Sequence, residues 1–375
     1  MFPRVLALVG DMDGCALWRV LQPFTELQRQ GYPAEWGARG DDRLANIVHE
    51  FDAVIIPRLH WPPEERENGD RWFEALHNAG IAVIYEVDDD MVSDDFIRRL
   101  VQIHSRVPRK AEETRDAILH TMQSADGVTV SSQRLASTIR RYTDRPIMVV
   151  PNYMDLDWFR AVQAKAERTV KGLSIGWAGG IRPDYDVEQM AIAWGRITQR
   201  YPDVQFVIQG WQPDIITQAV PAERLHRLPW MSIQEYPTGL VNVDIGCCPL
   251  TDTTFNRAKT FIKSMEYAVS GAAVVASPTV YGQIIDHGHN GYICSNADEW
   301  EDALSRLVES ANIRKRMAQQ LLWKVEKYHS LHDNAWRWVD AWAQIVERYR
   351  LRNQGRRIIT PTPAQVREFS ARIMI

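Results

Sequence analysis

Short runs of apolar, largely β-branched residues alternate with amphipathic stretches along most of this 375-residue chain. The runs that predict buried strands in the first half cover 4–9, 53–56, 82–87, 127–130 and 147–150. The stretches between them have helical periodicity and lie near 18–30, 41–50, 69–80, 110–124 and 132–142. Strands that alternate with helices form parallel sheets with right-handed crossovers. The chain is therefore predicted to be an α/β protein.

The alternation stops after residue 150 and then starts again. Pro151 ends the last strand of the first series, and a polar segment at 160–171 follows it. Further strands are predicted at 173–177, 205–209 and 243–248, and a last clear helix near 333–352. These limits predict a first domain at 1–150, a linker at 151–172, a second domain at 173–330 and a C-terminal segment at 331–375.

The composition is that of an ordinary globular protein, with 45% hydrophobic and 25% charged residues. A net charge of −4 gives no electrostatic reason to expect a nucleic acid partner. The four cysteines show no metal-binding or disulfide spacing, which favours reduced thiols. No apolar run approaches the length of a membrane span. We therefore expect a cytoplasmic protein without a transmembrane segment.

The stretch 256–271 contains the most specific side-chain pattern. A single helix there would place five polar residues on one stripe: Asn256, Lys259, Lys263, Glu266 and Ser270. Because the run 272–277 reads as a buried strand, the helix that leads into it is also predicted to be largely buried. Buried charges need partners, and a nucleoside diphosphate offers both anionic groups and hydroxyls. The alternative is a surface helix on which the two lysines pair with Glu266.

A glycine-rich segment, 176–186, joins the first strand of the second half to the next helix. Gly179 and Gly180 would let the backbone approach a phosphate, and the helix N-terminus would add partial positive charge. An ordinary glycine turn is the alternative interpretation.

Three consecutive carboxylates, Asp88, Asp89 and Asp90, follow a predicted buried strand of the first half. Ligands of open α/β sheets bind at this end of the strands. The cluster is therefore predicted to bind acceptor hydroxyls, to supply a catalytic base or to hold a divalent ion. Helix capping with solvation of the charges is the alternative, and no nearby His or Glu has the spacing of a metal site.

The loop after the first strand contains Gly14 and, further on, Arg19. Arg19 is predicted either to bind a phosphate or an anionic acceptor, or to form a salt bridge at a helix start. His60 also follows a strand and could act as a base, although a lone histidine is more often structural.

The segments Gly271-Ala-Ala-Val-Val-Ala-Ser277, Gly288-His-Asn-Gly291-Tyr292 and Trp300-Glu-Asp-Ala-Leu304 resemble the donor-binding half of GT-B glycosyltransferases, in particular the retaining family-four (group 1) enzymes. The resemblance implies two Rossmann-like domains with parallel sheets that face each other across a cleft. It also implies an N-terminal acceptor domain, a C-terminal nucleotide-sugar domain and a C-terminal helix that crosses back to the first domain.

The resemblance implies roles for individual residues. By position, Glu266 matches the glutamate that holds the donor ribose, and basic groups hold the diphosphate. The implied donor-binding residues are Gly179, Gly180, Arg182, Asn256, Lys259, Lys263 and Glu266. The implied acceptor-binding residues are Gly14, Arg19, Asp88, Asp89 and Asp90. The implied catalytic residues are Glu266, Lys263 and Asp88.

The function expected from this resemblance is transfer of a sugar from a nucleotide-sugar to an acceptor, with retention of configuration and without a cofactor or metal. Ala258 stands where the family places a further glutamate that touches the transferred sugar. Two alternatives therefore stay open: a nucleotide-sugar epimerase of the same fold, and a catalytically silent protein that binds sugar nucleotides or glycans. The acceptor is also open, and a glycan, a lipid-linked glycan, a small molecule, a protein and a modified nucleic acid are all compatible with the sequence.

Overall fold

The computed structural model describes residues 2–10, 12, 14–38, 48–104 and 107–354. Most of the helix predicted near 41–50 and the tail 356–375 lie outside the described residues. The chain divides into two compact units. The first comprises the described parts of Met1–Asn152 and Leu331–Ile375, and the second is Tyr153–Ser330.

The described residues of the first unit form a six-stranded parallel sheet of order β2-β1-β3-β4-β5-β6. The strands are β1 Val5–Val9, β2 Ala34–Ala38, β3 Ala53–Pro57, β4 Ala82–Val87, β5 Gly127–Val130 and β6 Ile147–Val149. The sequence patterns predicted all of them except β2. This edge strand reads Ala-Glu-Trp-Gly-Ala and is buried only in part, so it lacks the apolar run that marks its neighbours.

Helices connect these strands. Those of the first unit are Gly14–Ala16, a π-helical turn Leu17–Leu21, Gln22–Arg29, Arg66–Asn78, Asp94–His104, Pro108–Ser124, Gln133–Ile139, Leu331–Asn334 and Trp336–Arg352, with short 3-10 turns at Val48–Glu50 and Pro63–Glu65. The last helix packs on the sheet through Ile345, and its Trp338 and Trp342 are buried as well. A Cβ atom on Gly127 would lie 2.7 Å from the Ile345 side chain, so that glycine lets helix and strand approach closely.

The second unit is described throughout and contains another six-stranded parallel sheet, of order β12-β11-β10-β7-β8-β9. Its strands are β7 Ser174–Gly179, β8 Gln205–Gly210, β9 Leu225–Leu228, β10 Ile245–Cys248, β11 Ala273–Ala276 and β12 Tyr292–Ile293. The chain builds outward from β7 to β9 on one side and then returns to place β10 on the other. The boundary between β7 and β10 is therefore a topological switch point, where α/β sheets bind their ligands.

The helices of the second unit cover both faces of its sheet. They are Leu156–Gln163, Glu188–Arg200, Asp214–Ala219, Tyr236–Gly239, Thr254–Arg257, Ile262–Val269, Pro278–Tyr281, Ala297–Glu309 and Ala311–Tyr328, with 3-10 turns at Asp184–Asp186, Ala222–Arg224 and Leu240–Asn242. Trp194 and Trp300 anchor one apolar core between the sheet and the helices Glu188–Arg200 and Ala297–Glu309. Met190, Ala191, Trp194 and Ile197 form the buried face of the first of these helices, whereas Ile192 is exposed.

The predicted linker at 151–172 differs from the structure. Residues from Tyr153 onward belong to the second unit, and Leu156–Gln163 is a helix. Asp155 caps this helix by accepting a bond from the Trp158 amide, 2.9 Å away, and Phe159 is buried. Gln163 Nε2 donates to Ser270 Oγ at 2.7 Å, which fixes the helix to the rest of the unit. The polar composition of this segment predicted a linker. The cap formed by Asp155 and the burial of Phe159 instead make it part of the second unit.

Candidate functional site

The predicted helix at 256–271 is two helices, Thr254–Arg257 and Ile262–Val269. The first ends in tight turns, in which the amides of Ala258 and Lys259 bond to carbonyls three residues back. The polar stripe is therefore not continuous, and Asn256 and Lys259 do not share a helix with Lys263 and Glu266. Lys259 instead places its Nζ atom 4.7 Å from the centre of the Phe255 ring.

Lys263 and Glu266 form a partly buried charge cluster with Tyr236, which belongs to a separate short helix. The Lys263 Nζ atom lies 2.6 Å from Glu266 Oε2, so the pairing allowed by helical spacing is present. Tyr236 Oη donates to the same Oε2 at 2.8 Å and accepts a bond from Lys263. Glu266 is only 3% exposed. Its Oε1 atom receives no hydrogen bond from the described residues, so one carboxylate oxygen has capacity for a ligand hydroxyl.

Tyr236 was not predicted from the sequence. Burial, followed by the negative charge of Glu266, raises the pKa of its phenol well above the usual value. Tyr236 therefore keeps its proton and acts as a donor to Glu266. Its only local signal is a proline after it, which marks a helix start and carries no information about a partner 30 residues away.

The glycine turn lies at the carboxyl end of β7, beside the switch point. A Cβ atom on Gly179 would lie 2.6 Å from Trp177 Cζ2 and 2.8 Å from Arg182 Nη2, so only glycine fits there. The Arg182 guanidinium stands 5.2 Å from the centre of the Trp177 ring, and its Nε donates to Gly180 O at 3.3 Å. The predicted phosphate turn and its arginine are therefore held side by side.

A second aromatic residue missed by the sequence analysis, Trp230, covers this turn. Its ring lies 3.4 Å from the Cβ position of Gly180 and 3.3 Å from that of Gly210. The side chain is nevertheless 68% exposed. An indole that rests on two glycines and faces solvent offers a stacking surface beside the glycine turn.

Asn256 differs from its predicted role as a donor contact. The side chain is fully buried, and Nδ2 donates to Asp186 Oδ1 at 2.6 Å and to Thr251 O at 3.0 Å. Asp186 also accepts from the Thr251 amide at 3.2 Å. Asn256 therefore ties the loop after β10 to the turn after β7.

The three carboxylates after β4 have separate environments. Arg58 bonds to Asp88 through Nε at 2.9 Å and also through Nη2, which in turn donates to Asp89 Oδ2 at 2.9 Å. Arg58 is the sole non-glycine residue among those described that has a positive φ, 51°, and such strain is often found at functional sites. The like charges of Asp88 and Asp89 are thus compensated by a cation that the sequence analysis had not assigned to them.

Asp90 differs from the predicted acceptor contact. It is fully buried, and Oδ1 accepts from the amides of Val92 and Ser93 at 3.1 and 3.0 Å. This is the capping alternative considered above, because the short side chain satisfies the turn that leads into the next helix.

Arg19 also differs from its predicted acceptor role. The side chain is buried, Nε donates to Glu86 Oε1 at 2.9 Å, and Nη1 donates to Val150 O and Asn152 Oδ1. The salt-bridge alternative is therefore the one the structure supports. Gly14 opens the helix before Arg19, and a Cβ atom there would meet nothing within 4 Å. His60 Nδ1 lies 3.3 Å from Arg58 O.

No group of three or more His, Cys, Asp or Glu side chains within the described ranges is arranged to hold a metal ion. Among the same residues, no helix is both long and apolar enough to cross a bilayer.

Comparison with known proteins finds relatives of the second unit. Residues 172–310 match the model of the family Glycosyl transferases group 1. This match covers most of the second unit. The chain is also 27% identical over 176 residues to TuaH of Bacillus subtilis, whose name assigns it to teichuronic acid biosynthesis as a glycosyltransferase. The match covers 44% of this chain and 43% of that relative, so this chain matches less than half of the length of TuaH.

Solved structures match over almost the whole chain. Anabaena HepE in complex with UDP-glucose has a TM-score of 0.61 at 14% identity, covering 92% of this chain and 98% of HepE. Sucrose-phosphate synthase of Thermosynechococcus elongatus has a TM-score of 0.62 at 12% identity, covering 92% and 99%. At such identities the likeness shows the fold. The predicted α/β architecture of GT-B type, with two Rossmann-like units, is confirmed.

Proposed function

We propose that this protein transfers a sugar from a nucleotide-sugar to an acceptor, with the second unit binding the donor. The observation that carries the proposal is the partly buried cluster of Lys263, Tyr236 and Glu266 in a unit that matches the group 1 glycosyltransferases. A carboxylate with an unbonded oxygen can accept hydrogen bonds from ribose hydroxyls. The ammonium group beside it can bond to phosphate oxygens, and such charge-assisted bonds are strong.

The diphosphate would lie between Lys263 and the turn formed by Gly179 and Gly180. Lys259 and Arg182 are further donors for it. Negative charge accumulates on the diphosphate as the bond to the sugar breaks, and fixed cations stabilise that charge. With retention of configuration, the departing diphosphate would assist deprotonation of the acceptor hydroxyl. We expect this transfer to proceed without a bound metal ion.

The acceptor would bind to the first unit, and Asp88 and Asp89 are its candidate contacts. Their carboxylates can accept hydrogen bonds from sugar or other hydroxyls, and Arg58 forms an ion pair with each of them. The relatives named above point to UDP-sugars as the first donors to test, since HepE binds UDP-glucose and this chain shares its fold.

The test is calorimetric titration of the full chain with UDP and with uridine. Lys263→Ala should weaken UDP binding far more than uridine binding, because the ammonium group is expected to contact the phosphates of UDP and not its nucleoside. Glu266→Ala should weaken both by about ten- to a hundredfold, since a bond to a charged group contributes roughly 1.5–3 kcal/mol. Glu266→Gln should retain part of the affinity, because its amide oxygen still accepts.

Lys315→Ala, an exposed lysine of the same unit, is the matched control and should bind UDP normally. Unchanged UDP affinity of folded Glu266→Ala would assign the glutamate to helix stability alone and would refute the donor site. Equal losses of UDP and uridine in Lys263→Ala would indicate a folding defect instead.

A catalytically silent binding protein is a second candidate, favoured by Ala258. This residue is fully buried where the related enzymes have a glutamate that contacts the sugar. Incubation with UDP-sugars, with and without a panel of acceptors, separates the possibilities. Binding without sugar transfer or hydrolysis would indicate a silent protein, and a changed sugar without acceptor would indicate an epimerase.

A further inference from the structure

A small cavity of about 230 Å³ lies on the second unit. Its lining includes none of Lys263, Tyr236 and Glu266, which we call the donor cluster. One wall is a stripe of the helix Ala311–Tyr328 that includes Arg316, Gln319 and Trp323 at helical spacing. The other wall is the loop immediately before β12, which contributes Asp286 and His289. The two sets of residues do not overlap, so this cavity is a separate site.

The loop wall is rigidly held. Asn290 is buried, its Oδ1 accepts from the Asp286 amide at 2.7 Å, and its Nδ2 donates to Ile284 O at 3.1 Å. Lys324 Nζ of the helix pairs with Asp286 Oδ2 at 2.9 Å, which joins the two walls. The polar groups of the cavity are therefore positioned before any ligand arrives.

Several polar side chains that line the cavity are available to a ligand. The side chains of Arg316, Gln319 and His289 make no hydrogen bond or ion pair with the described residues. Two cations, Arg316 and Lys324, face a single carboxylate, so the cavity is net positive. A guanidinium, an amide and an imidazole can together bind several hydroxyls and one anionic group.

Trp323 supplies the apolar surface. It is 55% exposed, and Lys327 lies over its ring with Nζ 4.7 Å from the centroid. A large aromatic ring that stays in solvent beside polar groups suits a ligand with an apolar face and a polar edge. A sugar ring has this character, with C–H groups on its faces and hydroxyls at its edge. The cavity volume is below the roughly 300–1,000 Å³ of typical small-molecule sites and fits a single ring.

We propose that this cavity binds a sugar ring that carries an anionic group, stacked on Trp323 with its carboxylate or phosphate on Arg316. The site would hold a glycan independently of the donor site. A sugar carboxylate and a sugar phosphate could both bond to Arg316, and the experiment distinguishes the two.

The experiment is a titration of the full chain by ligand-observed saturation-transfer NMR. The probes are methyl glucuronide, glucose 6-phosphate and the neutral methyl glucoside. One acidic sugar should bind at millimolar concentration, at least about tenfold more tightly than the neutral sugar, as one charge-assisted contact predicts. The tighter of the two identifies the anionic group.

Trp323→Ala should abolish this binding, whereas Trp336→Ala should not. Trp336 is a matched control, being an exposed tryptophan of another helix with Arg337 over its ring at 4.8 Å. Arg316→Gln should remove the preference for the acidic sugar, while Lys315→Gln on the same helix, outside the cavity lining, should keep it. UDP affinity should be unchanged in all four variants.

Equal binding of acidic and neutral sugars, no saturable binding of either acidic sugar, or normal binding by folded Trp323→Ala would each overturn the proposal. Vesicles of phosphatidylglycerol are a further arm. Binding to vesicles that Trp323→Ala loses, without any sugar binding, would make this face a membrane contact and would also overturn it.

Discussion

Tyr236→Phe tests the geometry of the donor cluster with the loss of a single oxygen atom. The phenol donates to Glu266 Oε2 at 2.8 Å and accepts from Lys263, while the Lys263–Glu266 pair at 2.6 Å stays available. The ring itself is retained, together with its contact to the Lys263 ammonium at 4.6 Å. The variant therefore removes hydrogen bonds without opening a large cavity.

The expected cost follows from the charge and burial of the partner. A hydrogen bond to a charged group contributes about 1.5–3 kcal/mol, so the free energy of unfolding should fall by that amount. For a unit of this size the melting temperature should drop by about 3–12 °C, since 1 kcal/mol corresponds to roughly 2–4 °C. UDP affinity should fall by about tenfold, equivalent to about 1.4 kcal/mol, because Glu266 loses the bond that orients it.

A double-mutant cycle with Glu266→Gln decides whether the phenol acts through this carboxylate. Urea unfolding gives the stability terms and calorimetric titration with UDP gives the binding terms. Residues in direct contact should couple by about 0.5–3 kcal/mol. Additive effects of the two substitutions on UDP binding would refute the reasoning, and so would a Tyr236→Phe variant with normal affinity and stability.

Three other outcomes are expected. Asp88→Asn should impair use of an acceptor in a transfer assay while leaving UDP binding within twofold, about 0.4 kcal/mol; a larger loss of UDP binding would count against an acceptor role. Trp230→Ala should weaken UDP more than inorganic pyrophosphate, since aromatic stacking contributes about 1–3 kcal/mol per base, and equal weakening would exclude stacking. Arg19→Met should cost about 3–5 kcal/mol of unfolding free energy at pH 7, because it leaves Glu86 buried without its cation. Burial already raises the pKa of Glu86 despite the Arg19 charge, so the folded variant should hold a proton that the unfolded chain releases. The loss of unfolding free energy caused by Arg19→Met should therefore grow as pH rises above about 4.3. A loss that does not depend on pH would contradict this.

Local patterns in the sequence were sufficient to predict most strands and helices. Apolar β-branched runs such as 82–87 are buried wherever they lie in a sheet, so composition alone marks the strand. The face of the helix Glu188–Arg200 was likewise predictable, because a helical period repeats within a few residues. The glycine turn after β7 and the pairing of Lys263 with Glu266 were predictable from local spacing as well.

The partners of charged side chains were decided only by the tertiary structure. Glu266 acquires Tyr236 from a segment 30 residues earlier, and Arg19 bonds to Asn152, 133 residues away. No periodic pattern in the sequence indicates either contact, because each depends on where the parallel strands bring distant segments together. The same limit explains why Asn256 and Asp90 were predicted as ligand contacts, although they hold loops in place. A sequence determines which faces are apolar, because burial follows local composition, but the position of a hydrogen-bond partner is set by how distant segments pack.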